Sequence, residues 1–118
     1  MALQTASPKT ETLVTGDELL AMGDIGPCEL MDGRLVLMSP AGEEHGTIEL
    51  ILGGELRAFV RQRKLGRVNS GEVGIYIRRN PDRIRAADIA FISKERSPLK
   101  PRKGFLDVTP ELVFEELE

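Results

Sequence analysis

Cysteine occurs once in this chain, at Cys28, and tryptophan not at all. A single thiol excludes an internal disulfide and any zinc site built from clustered cysteines. Free cysteine is among the most buried residue types, so a small core side chain is the plain reading of Cys28. The aromatic complement is Phe59, Phe91, Phe105, Phe114 and Tyr76, mostly in core-like contexts, which leaves little with which to stack successive unpaired bases. No apolar run approaches the roughly 18 residues of a membrane span. The opening stretch MALQTASPKTETLVTG has no apolar segment long enough for a secretory signal, so the expected location is cytoplasmic.

What is present fits one small globular domain. The chain has 118 residues and is 41% hydrophobic, within the usual span of one domain. Residues 1–14 read as a flexible tail and residues 15–118 as a single domain. The net charge of −3 argues against a generic polyanion binder, but its distribution is uneven. Residues 1–56 carry ten acids against two bases, residues 57–103 fourteen bases against four acids, and residues 104–118 five acids and no base. Two readings of the basic middle are open: a face for a polyanion, or ordinary solvated loops and helix ends.

Local signals divide the chain into elements. Thr15 and Glu18 in TGDELLAM match a capping box, which predicts a short helix ending near Gly23. In CELMDGRLVLM, Asp32-Gly33 between apolar arms is a two-residue hairpin signal, predicting strands over 28–32 and 34–38. From GEEHGTIELILGGELRAFVRQRKLG a long helix is expected, with Ile48, Ile51, Leu52, Leu56, Phe59 and Val60 on a packed stripe. Glu43 and Glu44 at its start and Arg57, Arg61, Arg63 and Lys64 at its end complement the helix dipole. Gly53-Gly54 inside it costs about 1 kcal/mol per residue relative to alanine, for which close approach to a sheet is the expected return. GRVNSGEVGIYI reads as strands around a turn at Asn69-Ser70-Gly71, and ADIAFI as a further strand. SKERSPLKPRKGFLDVTP reads as a connection too polar to bury, and LVFEELE as a last strand.

Two carboxylates stand where strands should be apolar. Asp88 heads the run Ile89-Ala90-Phe91-Ile92, and Glu115 follows Leu112-Val113-Phe114. Near-continuous apolar runs suggest strands covered on both faces, where an ionised carboxylate needs a cation or several donors. Were the two strands neighbours, Asp88 and Glu115 could share one divalent ion. Magnesium suits oxygen ligands of that kind. Against this stands the reading of both as strand-end carboxylates in water.

The ordered series ELMDGRLVLMSP, EEHGTI, GEVGIYI, RAADIAF and PELVFEEL resembles the Uma-type restriction endonuclease family, a branch of the PD-(D/E)XK nuclease superfamily, over residues 15–118. The resemblance implies an α/β, restriction-endonuclease-like core: a mixed β-sheet with an N-terminal β-hairpin and one long packed helix. Asp88 and Glu115 match the family's catalytic, metal-binding acids. His45 matches a histidine at the start of the first large helix, Glu29 matches the acid of the hairpin, and Glu72 is a further possible ligand. Ala87 replaces the usual proline before the aspartate, and Glu116 stands where the family prefers an apolar residue. Leu117 occupies the place of the superfamily's lysine two positions after the acid. Family members continue into a further helix and strands, so this chain resembles their front two-thirds.

Two functions are therefore expected from the resemblance. The first is magnesium- or manganese-dependent hydrolysis of double-stranded DNA, with Arg78, Arg79, Arg83 and Arg85 contacting the backbone without specifying sequence. The alternative is a non-catalytic DNA-binding or protein-interaction remnant of the nuclease fold, which the missing lysine favours; cutting by the chain as given is expected to be very slow or absent. An exposed last strand invites pairing with another chain, so a homodimer is expected.

Overall fold

A computed structural model describes residues 12–97, 101 and 103–116. Most of the expected tail, Lys100 and Leu117 lie outside the described residues. Helix α1 (Gly16–Ala21) opens with the anticipated reciprocal cap. The Glu18 amide donates to Thr15 Oγ1 at 3.1 Å, and the Thr15 amide donates to Glu18 Oε1 at 2.9 Å. Strands β1 (Cys28–Met31) and β2 (Arg34–Leu37) form the hairpin. Its turn places Asp32 at φ 52° and Gly33 at φ 84°, the doubly positive geometry that Asp-Gly tolerates.

The long helix α2 (Glu43–Gln62) lies against strands β3 (Gly66–Arg78) and β4 (Arg83–Ser93). It is turned differently from the apolar stripe. His45 and Val60 are buried and Glu49, Gly53 and Leu56 are half-buried, whereas Ile48, Ile51, Leu52 and Phe59 are exposed. The inward face is thus largely polar or small. A β-carbon on Gly53 would meet Ile89 Cδ1 at an ordinary 3.7 Å, and one on Gly54 would meet nothing within 4 Å. Close approach therefore does not account for the glycine pair.

The segment read as two strands around a turn is one strand, β3. Its register with β4 runs from Gly66↔Ser93 to Ser70↔Ile89 and resumes at Val73↔Ala87. Gly71 and Glu72, at φ 87° and 63°, absorb the extra residue as a bulge. A continuous partner in β4 keeps the strand intact where the local sequence looks like a turn.

The sheet order is β2-β1-β4-β3, with β5 (Leu112–Phe114) also paired to β4. Among the described residues all these strand pairings are antiparallel, and the one parallel contact is an isolated bridge between Ile75 and Leu106. This corrects the expectation of a mixed sheet. The connection after β4 comes back to the end of the strand it left, where the Glu111 amide donates to the Phe91 carbonyl at 3.0 Å. A strand that re-enters there must run antiparallel. The same connection is less polar in place than in sequence. Leu106 is buried and Phe105 packs edge-on against Tyr76, with ring centroids 6.1 Å apart.

Leu30, Ile89 and Ile92 are the largest fully buried side chains, each contributing about 1.5–3 kcal/mol by burial. One core cluster gathers Ile75, Ala87, Ala90, Ile92 and Leu106, and another Leu19, Leu30 and Ile84. Since β3 follows β4 along one edge, β1 and β5 share the other edge end to end. β1 meets β4 at Ile84 and β5 meets it at Ile89–Phe91. Between them, residues 85–88 form a notch in the sheet.

Candidate metal centre

Asp88 sits in this notch, and two backbone features hold the notch open. The Glu116 amide, just past β5, donates to Asp88 Oδ2 at 2.7 Å. The Ala86 amide donates to Glu29 Oε2 at 2.9 Å, so a carboxylate substitutes for a missing strand partner. The first turns of α2 lie over the opening. His45 and Glu49 are four residues apart and therefore share one helix face.

His45 Nε2 lies 3.2 Å from Asp88 Oδ1 and 3.5 Å from Glu49 Oε2. Ligand atoms of His45, Glu49 and Asp88 all fall within 4.8 Å of one another. Neighbouring ligands of a six-coordinate ion with bonds of about 2.1 Å stand about 3 Å apart and opposite ones about 4.2 Å. The donor set and its spacing therefore fit a divalent cation. One imidazole and two carboxylates favour a metal that accepts nitrogen as well as oxygen ligands.

Further acids line the surrounding cavity of about 320 Å³, which includes Glu29, Glu72, Glu115 and Glu116 together with Met38, Pro40 and Arg85. Glu116 Oε1 lies 3.7 Å from His45 Nδ1. The β3 bulge accounts for Glu72, since a bulge redirects a side chain. The Gly71 amide donates to Glu49 Oε1 at 2.9 Å, tying the bulge to α2. Burial, followed by the charges of Asp88 and Glu49, pushes the Glu72 carboxyl above its ordinary range.

The acids named from sequence thus collect at one place, although not in equivalent positions. Glu115 follows β5, the antiparallel neighbour of β4, and lines the cavity. It is not among the three residues whose ligand atoms converge. Glu49 and Glu116 escaped the sequence reading. The spacing of four between His45 and Glu49 near a helix start was the available signal for Glu49; Glu116 read only as a misfit in an apolar strand.

The four arginines named for DNA contact are already engaged by acids. Arg83 donates through Nε and Nη2 to the two Asp32 oxygens at 3.0 and 2.8 Å, and Arg78 Nε lies 4.0 Å from Asp32 Oδ1. Arg79 pairs with Asp107 at 2.8 Å and covers the Tyr76 ring at 3.6 Å. Arg85 donates to Glu29 at 3.0 Å, and of the four it alone lines the cavity with Asp88.

A second cavity of about 540 Å³ adjoins this one through Glu72 and Ala86 and is bounded chiefly by α1, the segment after it, and Phe105. Among the described residues no helix is long and apolar enough to cross a membrane. Comparison with protein families finds that residues 17–116 match the family model described as Uma2, putative restriction endonuclease. A search of curated proteins finds no match.

Proposed function

Because the chain belongs to the Uma2 family of restriction-endonuclease relatives, we propose that it is a metal-dependent endonuclease that hydrolyses phosphodiester bonds of double-stranded DNA. The observation that carries this reading is the convergence of His45, Glu49 and Asp88 in a notch ringed by further carboxylates. When bound there, manganese or magnesium supplies charge neutralisation at the phosphate and activation of water.

The chain's own residues have separable roles. His45, Glu49 and Asp88 would hold the cation, and the Glu116 amide fixes the orientation of Asp88. Glu72, with its raised affinity for protons, accepts a proton from the attacking water at its carboxylate. Glu115 stands on the cavity wall near Arg85 and adds to the field that attracts the cation. Arg85 is the cation lining this wall among the described residues, and its planar guanidinium suits two phosphate oxygens. Glu29 holds it in place. In this role Arg85 offsets charge near the leaving group, where the superfamily pattern has a lysine and this sequence has Leu117.

The test is nicking of supercoiled plasmid by the purified chain with manganese, magnesium or chelator. Metal-dependent nicking that Asp88→Ala abolishes supports the proposal. Metal-induced thermal stabilisation and duplex binding without nicking would instead favour the non-catalytic DNA-binding reading, to which Leu117 points.

A further inference from the structure

Helix α2 carries two faces, and the sheet uses only one of them. His45, Glu49, Gly53, Leu56 and Val60 turn inward. At 100° per residue, Ile48, Ile51, Leu52 and Phe59 form a second stripe about a third of a turn away. These four side chains are 36–62% exposed, and Glu44, Glu55 and Ala58 share their stripe. A ridge of this kind on a 20-residue helix is more contiguous than scattered surface apolar residues require.

We infer that this stripe is a self-association surface, whose occupant is α2 of a second copy of the chain running antiparallel to the first. The argument for that occupant is charge. On the stripe the helix begins with Glu44 and is followed by Arg63; Glu43 and Arg61 lie on another face. A parallel pair would set like charges against each other at both ends. An antiparallel pair about a two-fold axis sets acid against base at both ends and opposes the helix dipoles favourably.

The register is self-consistent along the stripe. With Glu44 opposite Arg63 of the second copy, Ile48 faces Phe59 and Leu52 faces Glu55, while the two Ile51 side chains flank the two-fold axis. Arg63 belongs to the stripe because its guanidinium lies 3.8 Å from the Phe59 ring centroid. Each Ile48–Phe59 contact therefore lies beside an ion pair. Glu55 is the exception: its two copies stand about 4–5 Å apart along the axis, and their repulsion keeps the pair weak and exchangeable.

Sedimentation velocity of the full chain over a concentration series tests the assignment, with circular dichroism confirming that each variant is folded. A reversible monomer–dimer equilibrium is expected. Ile51→Asp, at a site 62% exposed and outside the core, should give a folded monomer. Glu44→Lys should weaken the dimer about fivefold, the worth of two exposed ion pairs; adding Arg63→Glu should restore it. Glu55→Gln should tighten it. A monomer at every concentration would overturn the inference, as would a dimer indifferent to Ile51→Asp or a charge swap that fails to rescue.

Discussion

Two aspartates six residues apart, Asp82 just before β4 and Asp88 within it, receive opposite treatment from the fold. Asp82 is 9% exposed and accepts the Gly16 amide at 2.8 Å and the Asn80 amide at 3.1 Å. Those backbone donors, Gly16 first, hold its carboxyl below the ordinary range. Nearby, Arg83 answers Asp32 and Arg79 answers Asp107, so the charges of this corner balance. Asp88 instead accepts one amide and faces His45 amid carboxylates from α2, the bulge and the segment after β5. The fold completes the shell of one aspartate and leaves the other short of positive charge. Such a deficit, with the neighbouring Glu72 carboxyl pushed up, marks a functional-site candidate.

Exchanging the roles of these aspartates is the largest test. Asp88→Ala is expected to lower metal-dependent nicking by at least about 10²–10³-fold, the scale on which loss of one preorganised electrostatic contact is felt. Urea unfolding of the metal-free protein should show little loss of stability, because the substitution also relieves repulsion. Asp82→Ala should do the reverse. It leaves two amides without their charged acceptor and should cost about 2–3 kcal/mol, with activity per folded molecule retained.

Acidity sharpens the contrast. For Asp82 the folded-state pKa is depressed, so its stabilisation is complete above its ordinary value of 3.8 and is lost as pH falls through the lower folded value. For Glu72 the folded-state pKa is raised. Its contribution is complete below the ordinary 4.5 and is lost as pH climbs through the higher folded value. Denaturation across this range should therefore reveal an acid limb removed by Asp82→Asn and a second limb removed by Glu72→Gln. Manganese should flatten the second limb alone, since a cation offsets both the burial of the Glu72 charge and the repulsion from Asp88 and Glu49 that together raise it.

A smaller effect separates the arginines. Arg85→Ala should reduce the slope of log affinity for duplex DNA against log salt by about 0.9, one phosphate contact. Arg83→Ala should leave that slope unchanged, because its guanidinium is committed to Asp32 through two hydrogen bonds. Equal slopes for both variants would erase the distinction between the two ends of β4 as electrostatic surfaces.

Local chemistry explains what could be read without coordinates. Asp32-Gly33 and Thr15 with Glu18 act through nearest neighbours, and both motifs formed as expected. The β3 bulge could not be seen because Asn69-Ser70-Gly71 resembles a turn until β4 is placed beside it. For α2, periodicity found the more apolar face, whereas the inward face carries His45 and Glu49 because it roofs a polar site. Candidate acids were recoverable one by one from their intrusion into apolar runs. Their convergence depends on β1 and β5 sharing one edge of β4, a relation between residues 29 and 115 that spacing does not contain.

The hydrogen bond from the Glu116 amide to Asp88 Oδ2 makes one backbone proton a witness to the occupancy of the centre. A cation that draws electron density from the carboxylate weakens it as an acceptor without moving the strands. The Glu116 resonance should then shift upfield during a titration with diamagnetic magnesium, and its exchange with solvent should quicken, while the amides paired within β3 and β4 stay still. That amide would serve as a spectroscopic gauge of cation binding at the proposed centre, readable without a cleavage assay.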